Sequence, residues 1–260
     1  MPEARAALEA HVAAELDRPV FAGAREFAAA LAGRPGVAAV LFYGSCLQRQ
    51  SAEGMLDFYV LTDGAPGDYA ESAPIRAMGR ALPPNVYPES CGELRAKAAV
   101  VSLAAFRRRM GVSAIDTTFW ARFCQPAALL YARDGAARAA AVAAVAEAIL
   151  TGAAWAERLG EGAVGAEAWR RLFTRTYRVE IRVEGPGRAG GIVDANPERW
   201  ETLWRLTEGR RAGAAGRSWF LRWLLGKPLH VSRLLKAAFT FEGGPRYLLW
   251  KIRRHRGARR

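Results

Sequence analysis

The chain has 260 residues, 51% of them apolar, and 38 Lys or Arg against 25 Asp or Glu, a formal charge of +13. That length is enough for a catalytic domain with a smaller helical addition. No run approaches the roughly 20 uncharged residues of a membrane span, and Glu3, Glu9, Glu15 and Asp17 argue against a secretory or organelle leader.

In chain order, Leu8, Val12 and Leu16 recur every four residues and Phe27 to Leu31 follow, so the first thirty residues are expected to form two helices. Arg34-Pro35-Gly36 breaks that pattern. The continuous apolar runs 37–43 and 56–62 read as buried strands. A Gly- and Pro-rich stretch, 64–88, reads as a connection, then 96–102 as a third strand and 103–110 and 114–123 as helices, with Pro126 ending the last. Residues 134–159 form an alanine-rich helix with Val142, Val145 and Ile149 on one face, and 169–183 continues the helical half. Residues 185–191 read as a loop, and Asn196-Pro197 caps a helix running to Leu206. The tail divides into 218–225, 229–241 and 246–256 at Gly226, Pro228 and Gly243-Gly244-Pro245. Cys46, Cys91 and Cys124 are too few and too scattered for a disulfide framework or zinc cluster, which suits a reducing cytosol.

The charge is concentrated. Residues 209–260 hold fourteen Lys or Arg and one acid, Glu242, so the whole excess lies there; elsewhere 24 basic and 24 acidic residues cancel. Such a tail suits nucleic acid, anionic lipid or a solubilising flank.

The chemistry is carried by Val40-Leu41-Phe42-Tyr43-Gly44-Ser45, followed by Leu56-Asp57-Phe58-Tyr59-Val60. A Gly-Ser pair where a strand turns into a helix offers backbone N–H groups and a hydroxyl to a triphosphate, with the helix dipole assisting. An aspartate on the neighbouring strand can hold magnesium against those phosphates. This is the nucleotidyltransferase pattern, but its second carboxylate, two residues on, is here Tyr59. Asp63 has the right parity, yet six extended residues span roughly 20 Å, so it reaches the same ion only if the chain bends after Thr62. The alternative is an ordinary turn and a strand-end aspartate.

Tyr43-Gly44-Ser45, Gln50 and Met55-Leu56-Asp57-Phe58 resemble the signature of the mitochondrial translocator-maintenance family of phosphatidate cytidylyltransferases, which also lacks the second carboxylate and has an acid near Asp63. The likeness continues through Asn85-Val86-Tyr87, Lys97 to Ser102, Trp120 to Pro126, the trio Tyr177, Glu180 and Arg182, and the tail from Lys227-Pro228 to Trp250-Lys251. It implies an α/β (α+β) protein with a nucleotidyltransferase-like small mixed sheet and helices over 1–132, a helical domain over 133–208 and an amphipathic tail over 209–260. It also implies an enzyme that converts CTP and phosphatidate into CDP-diacylglycerol and pyrophosphate with Mg2+. Asp57 and Lys97 would then be catalytic, and Asp57 and Asp63 would hold the metal. Tyr43, Gly44, Ser45, Lys97, Tyr177, Glu180 and Arg182 would bind nucleotide or phosphate. One departure is that the segment between Asp63 and Asn85 is shorter than in the family and offers none of its histidines.

Trp219, Trp223, Leu234, Leu235, Phe239, Leu248 and Trp250 interleave with Lys251, Arg253 and Arg254 among other cations, the pattern of a helix lying in a lipid interface. Basic residues near anionic lipid contribute about 1 kcal/mol each. The expectation is a peripheral protein at the cytoplasmic face of an anionic membrane, with nucleic acid a poorer partner. The alternatives are a nucleotidyltransferase with another acceptor (another lipid phosphate, nucleic acid or protein) and a non-catalytic membrane-binding module.

Overall fold

In the computed structural model the described residues are 2–179, 187–211 and 218–240, with the side chains of 2, 187–189, 234 and 237–240 left aside. Glu180, Arg182, Leu248, Trp250, Lys251, Arg253 and Arg254 lie outside them, as do the side chains of Leu234 and Phe239.

A five-stranded mixed sheet is built from β1 (Val37–Tyr43), β2 (Met55–Thr62), β3 (Asn85–Cys91), β4 (Leu94–Ser102) and β5 (Ala127–Ala132), in the order β3-β4-β2-β1-β5. Only β2 and β4 run parallel. The fold class is therefore mixed α/β of the α+β kind. β1 is apolar at every position because both sheet faces are covered, so the alternation of a half-exposed strand is absent. On one face Phe27, Ala28 and Leu31 of α2 (Ala22–Ala32) meet Phe42, Phe58 and Val60. On the other face α5 (Leu103–Met110), α6 (Thr117–Phe123) and α7 (Gly135–Leu159) cover Leu41, Tyr59 and Leu61.

That second core continues without a break into the helical half, α8 (Gly165–Val179), α9 (Gly187–Asp194) and α10 (Pro197–Leu206), and takes in α1 (Pro2–Leu16) from the other end of the chain. Residue 132 thus marks a change of secondary structure inside one core. α7 has the length and hydropathy of a membrane span, yet 78% of its most apolar stretch is buried in the body, as befits a core helix. Its small residues permit close packing: a Cβ at Gly152 would meet the Trp169 ring at 2.7 Å.

Three expectations need correction. The stretch 64–88 contains α4 (Ala73–Ala81) and the start of β3; Ile75, Met78 and Leu82 recur at helical spacing there, but the surrounding Gly and Pro mask the pattern. Residues 187–191, read as loop, open α9, and β5 follows Pro126 unannounced. In the tail Gly226 and Pro228 do not separate two helices: α11 runs unbroken over Phe220–Thr240. A Cβ at Gly226 would collide with Val179, so this glycine serves the close crossing of α11 over the end of α8.

Candidate active site at the β1–β2 end of the sheet

β1 and β2 pair so that Tyr43 lies opposite Asp57, and the parallel β2–β4 register sets Asp57 beside Lys97. Tyr43, Asp57 and Lys97 therefore form a row across one end of the sheet. Gly44 follows at φ +89°, where only glycine is unstrained, and a Cβ there would stand 2.8 Å from Oδ2 of Asp57. The missing side chain is what allows the carboxylate to lie against the turn. Ser45 opens α3 (Ser45–Arg49); five residues give little macrodipole, so the donors of the turn itself must supply most of any attraction for an anion.

Tyr43, Gly44, Ser45, Gln48 and Asp57 line a cleft of about 150 Å³ whose far side is made by Arg122, Gln125 and Tyr177. The sequence placed Tyr177 in the site, and α8 carries it there. Arg122 was not singled out. It sits 5.2 Å from the centre of the Tyr43 ring and donates to the Tyr59 hydroxyl at 3.4 Å. A lone cation within the apolar run Trp120 to Phe123 was the signal available for it. Lys97 is half-buried, one strand beyond Asp57, and lies outside the lining of the cleft.

The position two residues after Asp57 belongs to the core. Tyr59 is 1% exposed, and the rings of Tyr43, Phe106, Phe119 and Phe123 lie 5.0–5.8 Å from it. Burial pushes its hydroxyl pKa up, against the pull of Arg122. It is packing, not a ligand.

Asp63 is likewise not brought to the site. β2 runs straight to Thr62, the Asp63 amide donates to Gly36 O at 3.0 Å, and the carboxylate takes Arg133 in a fork at 2.6 and 3.1 Å. Gly36 precedes β1 and Gly44 follows it, so Asp57 and Asp63 occupy opposite ends of the strands. The bend that would have joined them is absent because Thr62 still pairs with both Val37 and Ser102.

Among the described residues no group of three or more His, Cys, Asp and Glu side chains is placed to hold a metal. One carboxylate and one hydroxyl do fit magnesium that arrives with a phosphate ligand, because that ion keeps several waters and commonly takes one or two protein carboxylates with phosphate oxygens. The residues present thus fit a nucleotide-borne ion better than a bare one.

α11 departs from the expected amphipathic arrangement, since Arg222, Arg233 and Lys236 turn inward and only Lys227 of its described cations is exposed. Arg222 is 3% exposed, lies 4.3 Å from the Trp155 ring centre and donates to Val112 O at 2.7 Å. Arg233 pairs with Asp116, the N-cap of α6, and donates to Pro83 O at 3.0 Å. Lys236 donates to Leu82 O, to Pro84 O at 2.7 Å and to Asn85 Oδ1 at 3.0 Å, and its burial lowers its pKa to about 8. Trp219 packs on Trp155, the ring centres 5.1 Å apart, while Phe220, Leu221, Trp223, Leu224, Val231 and Leu235 face out.

No family model matches the chain, and no curated protein matches it either. The likeness to the cytidylyltransferases therefore stands on the residues quoted for it.

Proposed function

We propose that the protein is a magnesium-dependent nucleotidyltransferase that joins CTP to phosphatidate at a membrane surface, giving CDP-diacylglycerol and pyrophosphate. The observation that carries this reading is the contact of the Asp57 carboxylate with the Gly44-Ser45 turn inside a polar cleft that also receives Arg122 and Tyr177.

The turn and Arg122 bind the triphosphate, and Tyr43 and Tyr177 offer ring faces to the nucleoside. Asp57 and the Ser45 hydroxyl would hold the magnesium, and that ion would supply charge neutralisation to the phosphates. A phosphatidate oxygen attacks the α-phosphorus, the bond from that phosphorus to the β-bridging oxygen breaks, and pyrophosphate leaves with the electron pair. No covalent enzyme intermediate is required. Lys97 stands next to Asp57 and supplies a cation for the incoming lipid phosphate. The outward apolar face of α11 favours a lipid acceptor over nucleic acid, because a phosphate-tracking surface would present its cations to solvent.

Purified protein with CTP, magnesium and phosphatidate vesicles is expected to release pyrophosphate. Asp57→Asn is expected to slow that release by at least about 100-fold, the scale of losing one directed electrostatic contact to the transition state, with vesicle binding unchanged. Pyrophosphate release that requires ATP and RNA, or that survives Asp57→Asn, would falsify the reading.

A further inference from the structure

A second cleft, of about 250 Å³, opens at the other end of the sheet, between α4, α5 and the last residues of β2 and β4. β2 and β4 are parallel and finish in register at Thr62 and Ser102, so both carboxyl ends face this cleft. Crevices outside the carboxyl ends of parallel strands are recurrent ligand sites in α/β sheets. Asp57 is five residues away along β2, about 17 Å of extended chain, so this cleft is separate from the proposed catalytic one.

Three guanidinium groups line it. Arg76 and Arg80 come from one face of α4, a turn apart, and Arg108 comes from α5. Arg76 donates to the backbone oxygen of Glu71 and Arg80 to that of Gly64, each at 3.2 Å. Among the described residues no carboxylate pairs with any of the three, whereas Arg34, Arg133 and Arg138 on the same body all have acids. The two acids of the lining are engaged locally. Asp68 accepts the amides of Gly64 and Ala65 at 2.5 and 2.8 Å, and Glu71 accepts Asn85 Nδ2 at 2.7 Å and the Tyr87 hydroxyl at 2.6 Å. These bonds hold both carboxylates in place and leave the arginines as the available donors of the cleft.

α4 adds an independent reason. A nine-residue helix is marginal by itself, and this one buries none of its residues and leaves Met78 38% exposed. Half-buried Ile75, whose carbonyl accepts Asn85 Nδ2 at 3.1 Å, seats it on β3. What it does is hold Arg76 and Arg80 over the cleft, with Gly79 so close to Asn85 that a Cβ would lie 3.0 Å from the amide carbon.

We propose that this cleft is a second anion site, which takes a phosphate group between Arg76, Arg80 and Arg108. Planar guanidinium forks suit the several oxygens of a phosphomonoester better than a single carboxylate. The phosphate belongs either to a soluble phosphomonoester or to a lipid headgroup, and α11 lies close by through the bond of Lys236 to Asn85, which also lines the cleft.

The test uses the full chain carrying Asp57→Asn, so that turnover does not contribute, together with Arg122→Gln, which takes the phosphate-binding cation out of the other cleft. Calorimetric titration at fixed ionic strength with inorganic phosphate and glycerol 3-phosphate reads the soluble source; sedimentation with phosphatidylcholine vesicles, with and without phosphatidate, reads the headgroup. Arg76→Gln with Arg80→Gln is expected to weaken the binding that is seen at least tenfold, and Arg108→Gln severalfold, while Arg80→Lys restores part of the affinity. Binding by none of these probes overturns the site, as does affinity within twofold of the parent in the folded double variant. Should that variant not fold, mass spectrometry of phenylglyoxal adducts decides: protection of Arg76, Arg80 and Arg108 by the bound probe supports the site, and unprotected reaction overturns it.

Discussion

The cleft at Gly44 and the seam beneath α11 are both built from charged side chains next to backbone, and they use them in opposite ways. At the cleft, Asp57 and Arg122 face an opening that a ligand can enter. At the seam, Arg233 and Lys236 are turned into the body and saturated by Asp116 and by the oxygens of residues 82–85, and the apolar side of the helix is left outside. An ordinary surface helix would be packed the other way round. The difference shows that a sequence rich in arginine and leucine does not declare which of the two faces solvent: desolvated cations are tolerated wherever enough acceptors meet them.

The largest expected effect lies in the seam. Asp116 is 4% exposed; burial alone would raise its pKa, but Arg233 and Thr118 outweigh that and hold it below the usual carboxylate range. Asp116→Asn leaves Arg233 without its counter-charge and is expected to cost about 3–5 kcal/mol, read as a fall in melting temperature. A carboxyl with a lowered folded pKa contributes above its unfolded pKa and loses that contribution as pH falls through the folded value. The gap between parent and variant is therefore expected to be full at neutral pH and to close only in acid below about pH 4. A gap of the same size at pH 2 would sink the electrostatic account. The exposed Asp63–Arg133 pair gives the contrast, with Arg133→Gln expected to cost under about 1 kcal/mol.

Much of the scaffold was legible. The runs at 37–43 and 56–62 became β1 and β2 because a strand covered on both faces must be apolar throughout, and Asn196 caps α10 as read, its Oδ1 taking the Arg199 amide at 3.1 Å. The turn and an aspartate on the neighbouring strand were legible too, since Gly-Ser after an apolar run fixes a bend, whereas the pairing of Asp57 with Tyr43 is a matter of register. α4 was not legible, although Ile75, Met78 and Leu82 keep a helical spacing, because the Gly and Pro residues around them read as a connection. Arg122 was hidden among aromatic residues that make the core, and the inward turn of Arg233 depends on an acid 117 residues away in sequence. The fate of Asp63 turned on register, which hydrophobic pattern alone could not give.

A smaller effect is expected at the turn. Gly44→Ala asks a Cβ to sit at φ +89° and 2.8 Å from Asp57 Oδ2, a strain on the order of 1–3 kcal/mol. The chain is expected to fold with a modestly lower melting temperature while nucleotide binding falls much further, since the relief of strain moves Asp57 away from the turn. Equal losses in stability and binding would show that the glycine serves folding alone and that the cleft is not built around it.

The smallest change in stability and the clearest functional split are expected on the outer face of α11. Trp223 and Leu224 are 53% and 49% exposed, so replacing both with serine removes little from the core, and the melting temperature is expected to stay within the roughly 0.5 kcal/mol typical of surface changes. If that face enters a lipid interface, each side chain contributes about 1.5–3 kcal/mol when taken out of water, and partial insertion would still leave a loss of at least tenfold in vesicle affinity. Raising the salt concentration separates the two pictures of the helix. Docking through outward cations would weaken steeply with ionic strength. Docking through the apolar face, with Arg222, Arg233 and Lys236 already committed to the body, would weaken little, and the serine variant would bind poorly at every salt concentration. A steep salt dependence that the serine variant shares would return Arg222, Arg233 and Lys236 to the lipid side beside exposed Lys227 and undo the inverted arrangement.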